Sequence, residues 1–176
     1  MAHLINLDGK KFQISKNSFL ASTAQLIGDV EIGDGSSIWY NVVLRGDVMP
    51  IKIGKDTNIQ DGTVVHGTYK KCGTTIGDRV TVGHTAILHG CELGDECFIG
   101  MGAVVMDLCK VATRSMIGAG ALLTENTETK EGWLYLGRPA KAIRLLNEKE
   151  LSFLNQSAEN YKLYSSWYAG AKETHI

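Results

Sequence analysis

An aliphatic side chain returns at every sixth position through most of this chain, and no other feature constrains the fold as tightly. Leu20, Leu26, Ile32, Ile38 and Leu44 open the series. Ile53, Ile59 and Val65 resume it, then Ile76, Val82 and Leu88, and last Leu93, Ile99, Val105, Val111, Ile117 and Leu123. An amphipathic helix repeats at 3.6 residues and a half-buried strand at two, so neither alone explains a period of six. It is the repeat of a parallel β-helix, in which three hexapeptides close one triangular coil and about 18 residues return the chain to the same side. Each aliphatic points into the prism and stacks on its counterpart one coil along. A single coil cannot bury its own apolar edge, so neighbouring coils complete the core. Gly33, Gly54, Gly77, Gly83, Gly94, Gly100 and Gly118 directly follow aliphatics. Small corner residues are expected to let the backbone turn sharply, Gly at least steric cost. A sandwich of short strands is the competing reading, and it leaves seventeen aliphatics in one frame unexplained.

The chain has 176 residues, 44% of them hydrophobic, and a net charge of −1, which suits one soluble domain. It carries no basic stripe, so nucleic acid is not an expected partner. It has no apolar run near the roughly 20 residues that a membrane span requires. The opening MAHLINLDGKK lacks the apolar core of a secretory signal. Cys72, Cys91, Cys97 and Cys109 form no CxxC pair, and the last three lie within the repeats as small apolar residues. Reduced thiols and a cytoplasmic location are expected.

The frame slips three times. Leu44 to Ile53 is nine residues, Val65 to Ile76 is eleven, and Leu88 to Leu93 is five. The first two slips insert three and five residues, the second around Tyr69-Lys70-Lys71-Cys72-Gly73. Such insertions are expected to emerge as corner loops on the functional side. The spacing divides the chain into a lead-in strand (1–19), the β-helix (20–124), a connecting strand and turn (125–145) and a C-terminal helix and tail (146–176). Trp133-Leu134-Tyr135-Leu136 reads as the strand and Gly137-Arg138-Pro139-Ala140-Lys141 as the turn. Asn147 with Glu150 three residues later reads as a helix cap. Leu151, Leu154, Ala158, Tyr161 and Tyr164 follow at helical spacing, so the helix is expected to pack along the coil or across a subunit boundary.

With insertions removed, the polar residues fall into columns. His66 and His89 are twenty-three apart, less five inserted, so one full coil of eighteen separates them, and each follows an aliphatic. Adjacent coils lie about 4.8 Å apart, close enough for two imidazoles to share a metal through bonds of about 2.0–2.1 Å. Arg45 joins the same column. Asp61 and His84 form another, so His84 projects from a different position of the hexapeptide. A neighbouring chain in a symmetric assembly can bring His84 to the first column, and a threefold arrangement gives three equivalent sites between subunits. Three neutral imidazoles with an open fourth position are the ligand set of a catalytic zinc centre, and ferrous iron or cobalt fits the same donors. Zinc lowers the pKa of a bound water to about 7. Alone, each of these histidines reads as a polar corner residue, and only the shared register argues for metal. Arg45 with Asp47 fits either an intersubunit pair or a structural salt bridge. Gln60 and Asp61 fit either site residues or ordinary turn residues. His3 and His175, near the termini, carry no such argument.

These stretches resemble the γ-class carbonic anhydrases and their relatives: Arg45-Gly46-Asp47, Asn58-Ile59-Gln60-Asp61, Val65-His66, Val82-Gly83-His84, His89-Gly90 and the late Gly137-Arg138-Pro139-Ala140-Lys141. The resemblance covers nearly the whole chain. It implies an all-β solenoid, a left-handed parallel β-helix with a C-terminal α-helix, assembled as a homotrimer. It implies His66, His84 and His89 as metal ligands, two from one subunit and one from the next. It also implies Gln60 against substrate and metal-bound water, Arg45 and Asp47 as an intersubunit pair with Asp61 close by, and Tyr161 lining the pocket. The implied reaction is the reversible hydration of carbon dioxide to bicarbonate, as a zinc-dependent lyase. Two family features are missing. The loop Gly67-Thr68-Tyr69-Lys70-Lys71-Cys72 has no carboxylate to export protons, and Val48 stands at a second acidic position. Without such acid–base groups hydration is slow or dependent on buffer.

Three other readings share these residues. A hexapeptide acyltransferase using acetyl-CoA shares the fold and the Gly-Arg-Pro-Ala-Lys turn, but needs one general-base histidine instead of three in metal register. An acyl-CoA thioesterase turns the same metal centre on an acyl thioester. A non-enzymatic assembly subunit keeps the metal for structure.

Overall fold

A computed structural model describes residues 1–170, and in it the period of six becomes three walls around one core. Leu26, Leu44, Val65, Leu88, Val105 and Leu123 stand side by side on parallel strands along the first wall. Ile14, Ile32, Ile53, Ile76, Leu93 and Val111 do so along the second. Leu20, Ile38, Ile59, Val82, Ile99 and Ile117 form the third ladder. Apart from Ile14 and Leu20 at the open end, each is at most 3% exposed. The result is a parallel β-solenoid with a C-terminal helix. The last part of the expected tail, 171–176 with His175, lies outside the described residues.

The ladders run past the repeat at both ends. Leu4 pairs with Leu26 and Ile14 with Ile32, so the lead-in segment lies against the first full coil. At the far end Tyr135 continues the third ladder beside Ile117 and is 5% exposed. The strand Trp133–Gly137 then turns at Arg138-Pro139 and is answered by an antiparallel strand, Ala140–Leu145. That second strand is largely exposed on both sides, so it shows no period-two pattern in the sequence.

Two expectations are corrected. The three-residue insertion before Ile53 does not leave the solenoid as a loop. The strand Val43–Ile53 absorbs it by running across a corner, its first part beside Val64–His66 and its last beside Thr74–Ile76. The glycines that follow aliphatics do not make the corners turn. Left-handed corner positions are held instead by other glycines, among them Gly35, Gly62 and Gly102, and by non-glycines such as Asn41, Asp56, Arg79 and Thr85. Gly54 and Gly100 serve close stacking instead: a Cβ at Gly54 would stand 2.6 Å from the backbone of Gly77, and one at Gly100 would stand 2.4 Å from Ala119 N. The second insertion does form a loop, closed by a bridge between Thr68 and Cys72.

The helix Glu148–Ser166 opens on a reciprocal cap. The Asn147 side chain accepts from Glu150 N at 3.0 Å, and the Glu150 carboxylate accepts from Asn147 N at 2.9 Å. It lies along the third wall of its own chain. Leu154, Ser157 and Ala158 are buried against that wall, Phe153 meets Phe98, and Tyr161 meets the edge of Trp39. Arg79 ties the helix down through Glu159 at 2.8 Å and Asn155 at 3.3 Å.

Candidate metal centre

The first wall brings four of the expected residues together. His66 and His89 are direct neighbours on adjacent strands, because Val65 and Leu88 before them are locked into the same ladder. His66 Nδ1 lies 3.2 Å from His89 Nε2. Arg45 follows Leu44 on the next strand and stands beside His66, its Nη2 donating to His66 Nδ1 at 3.3 Å. Arg45 Nη1 donates to Asp47 Oδ2 at 2.7 Å, and His66 Nε2 donates to Asp47 Oδ1 at 3.0 Å. Burial works against the charge of Asp47, but the hydrogen bonds from Arg45 and His66 outweigh it and hold the carboxyl below its ordinary value. Lys10 donates to the carbonyl of Asp47. Gly46 makes the crossing possible, since a Cβ there would stand 2.2 Å from the carbonyl oxygen of Asp29.

The remaining residues form a second group at the corner after Thr81–Val82. His84 Nδ1 lies 2.8 Å from Asp61 Oδ2, and Asp61 Oδ1 accepts from Tyr40 N at 3.0 Å. Beside them a cavity of about 300 Å³ opens between the third wall and the helix, lined by Gln60, His84, Phe98, Met101, Tyr161 and Tyr164. Gln60 is almost fully buried. Its Nε2 donates to Asn58 Oδ1 at 3.1 Å, Asn58 Nδ2 donates to Thr81 Oγ1 at 2.9 Å, and Thr81 Oγ1 donates to Ser157 Oγ at 3.0 Å. Burial, then the nearby charge of Asp61, pushes the Tyr161 hydroxyl up to about 12. Among the described residues no three His, Cys, Asp or Glu side chains gather as a metal-binding group within one chain. One chain therefore carries two separate groups, a histidine pair on one wall and a single histidine at a corner.

One further residue that the sequence did not single out meets the histidine pair. Asp107 Oδ1 lies 2.5 Å from His89 Nδ1, and Asp107 Oδ2 accepts from Thr68 Oγ1 at 2.6 Å and from Lys71 Nζ at 3.4 Å. Burial opposes its charge, yet Thr68, His89 and Lys71 together hold it down to about 2. Asp107 is eighteen residues after His89, but the one-residue deletion before Leu93 sets Leu88 beside Val105, so column counting points to Met106 instead.

The hydrogen-bond partners set the proton positions. His66 gives its Nε2 proton to Asp47 and takes a bond from Arg45 at Nδ1. His89 gives its Nδ1 proton to Asp107. The lone pair of His66 Nδ1, which also takes the bond from Arg45, and that of His89 Nε2 then lie 3.2 Å apart. At a tetrahedral metal with bonds of about 2.0–2.1 Å, two donor nitrogens stand about 3.3 Å apart. That spacing fits a cation once the Arg45 guanidinium, 3.3 Å from His66 Nδ1, releases that nitrogen.

Solenoid coils of this period define the hexapeptide-repeat class, and residues 73–107 match the family model described as bacterial transferase hexapeptide (six repeats). The chain is 47% identical over 163 residues to "Gamma carbonic anhydrase 1, mitochondrial" of Arabidopsis thaliana, covering 90% of this chain and 59% of that protein's length. It is 45% identical to the "Probable carbonic anhydrase" of Methanocaldococcus jannaschii, covering 84% of this chain and 92% of that one. A crystal structure of a hexapeptide transferase family protein from Anaplasma phagocytophilum superposes with a TM-score of 0.89 at 47% identity, over 94% of this chain and 96% of that one. The chain belongs to the γ carbonic anhydrase-like family of hexapeptide-repeat proteins.

Proposed function

We propose that this protein is a metal-dependent lyase that interconverts carbon dioxide and bicarbonate, its metal held by His66 and His89 of one chain and His84 of the next. The carrying observation is the pair of imidazole nitrogens facing each other at 3.2 Å, each with its other nitrogen bonded to a carboxylate. Asp61 likewise engages Nδ1 of His84 and leaves its Nε2 outward.

A shared site requires a contact between copies, and the first wall is suited to one. Its outward stripe beside the histidine column is Val43, Val64, Ile87, Val104 and Leu122, in register across five strands. Val64 and Ile87 are 38% and 42% exposed. The second wall presents Lys52, Thr75, Glu92 and Lys110 at the equivalent positions. An apolar stripe on one wall favours burial against another copy, and closure of a heterologous contact gives a ring, here a homotrimer.

Zinc suits three imidazoles, with iron or cobalt as substitutes, and when bound it supplies a nucleophile at neutral pH by acidifying a water. The chain's own residues do the rest. Gln60, its amide nitrogen held by Asn58, turns its remaining polar edge to the cavity beside His84 and orients substrate. Tyr161 stays a neutral hydroxyl on the same cavity wall. Arg45 and Asp47 fix His66 and the register between chains. The loop 67–72 offers no carboxylate for proton export, so buffer carries the proton. The four free cysteines support a reducing, cytoplasmic setting.

The test is stopped-flow carbon dioxide hydration on anaerobically purified protein, with metal content measured on the same sample. One metal per chain and buffer-dependent hydration, both lost in His84→Ala, are expected. Full metal with no hydration in high buffer turns the reading to thioester hydrolysis by the same centre or to an assembly subunit. Acetyl-CoA binding without metal turns it to acyl transfer.

A further inference from the structure

Asp107 closes the first-wall site from the side away from Asp47. It sits just beyond the strand Val104–Val105 and is 8% exposed. One oxygen meets His89 Nδ1 at 2.5 Å, and the other is held by Thr68 and Lys71 of the loop that follows His66. Lys71 is itself tied to Glu125. Room for the carboxylate comes from Gly90, directly after His89. Its φ is +59°, and a Cβ there would stand 2.9 Å from Asp107 Oδ1 and 2.4 Å from Cys72 Sγ. Any other residue at that position would crowd both groups.

A carboxylate pinned by two further donors cannot swing away from the imidazole. It therefore fixes which His89 nitrogen carries the proton. Nδ1 must donate, and Nε2 keeps its lone pair toward His66. We infer that Asp107 is a positioning residue for His89, which sets its ring orientation and tautomer and makes Nε2 the more basic donor to a metal. This rests on the reading of His89 as a ligand. The same carboxylate joins the ligand to the 67–73 loop, so the loop and the histidine are ordered together. Asp61 contacts His84 in the same sense but is 43% exposed, a looser support than the one Asp107 provides. Outer carboxylates of this kind typically change metal affinity about 10–100-fold when removed.

The experiment is a zinc competition titration with a chelator on the assembled protein, for wild type, Asp107→Asn, Asp107→Ala and His89→Ala. It is paired with ¹⁵N NMR of the histidine tautomers in metal-stripped protein. Asp107→Ala should weaken zinc by about 10–100-fold and shift His89 from the Nδ1-protonated form to a mixture. Asp107→Asn should lose less, because its amide oxygen still accepts from Nδ1. A merely structural role would lower the melting temperature and leave both readouts unmoved. If Asp107→Ala does not fold, Asp107→Leu, close in volume and without an acceptor, carries the test, and wild-type affinity with an unchanged tautomer there overturns the inference. Zinc lost in His89→Ala but retained in both Asp107 variants sinks the positioning role alone. Zinc retained at wild-type affinity in His89→Ala removes the metal reading and the positioning role with it.

Discussion

A single imidazole at a solenoid corner has many uses, but two held with ring nitrogens 3.2 Å apart, each backed by a carboxylate, have few. His66 and His89 gain their placement from Val65 and Leu88, both fully buried, whose packing fixes the strands beneath them. Leu88→Ala is expected to cost about 2–5 kcal/mol, read by urea unfolding at fixed protein concentration, and to loosen zinc binding in the same sample. Unchanged zinc affinity in a clearly destabilised variant would separate the core from the site. Gly90→Ala should lower both stability and zinc affinity, since the left-handed φ and the contact with Asp107 act together. The histidine pair was legible in the sequence because column counting needs only strand register. Asp107 was not singled out because the one-residue deletion between Leu88 and Leu93 moves it off the aliphatic-plus-one position that His66 and His89 occupy.

The helix is the element whose start the sequence described best. Its cap was readable because a capping box is local chemistry, set by two residues three apart. Asn147→Ala should cost about 1 kcal/mol, measured as a shift in the unfolding midpoint. Glu150 adds a pH dependence. Its hydrogen bonds with Arg144 and with the Asn147 backbone hold its carboxyl down to about 2. A lowered folded-state value gives stability that is present above the ordinary carboxylate range and lost as pH falls through about 2. The stability gap between wild type and Glu150→Gln should therefore shrink between about pH 5 and about pH 2. A gap that stays constant over that range would show that the charge does not matter to folding. Which wall the helix covers was open in the sequence. It is decided by contacts far apart in the chain: Arg79 with Glu159, Thr81 with Ser157, and Trp39 with Tyr161.

At the scale of the molecule, the fold keeps the split that column counting expects, with His66 and His89 neighbours on one wall and His84 at a corner. A site shared by chains makes a quantitative forecast. His84→Ala and His89→Ala should each lack zinc as pure proteins. Refolded together in equal amounts, they should regain about a quarter of the sites, because an intact site then needs one chain of each kind in the right order. No recovery of zinc on mixing would argue against shared sites. Placing Glu at Val64 and Ile87 together should give a monomer by sedimentation that keeps its β-sheet circular dichroism but binds zinc poorly.

What the sequence determined alone was periodic or local: the six-residue repeat fixed a solenoid, column counting aligned His66 with His89, and Asn147 with Glu150 capped the helix. Backbone register and capping depend on neighbours along the chain or on a strict repeat, and both survive in one dimension. Tertiary structure decided what depends on volume and on the meeting of distant segments. The strand Val43–Ile53 swallowed its insertion because Gly46 allows a close crossing. The glycines after the aliphatics proved to be spacers between coils. Asp107 reached His89 because Gly90 leaves room for its carboxylate beside the ring, a matter of space that no spacing in the sequence records.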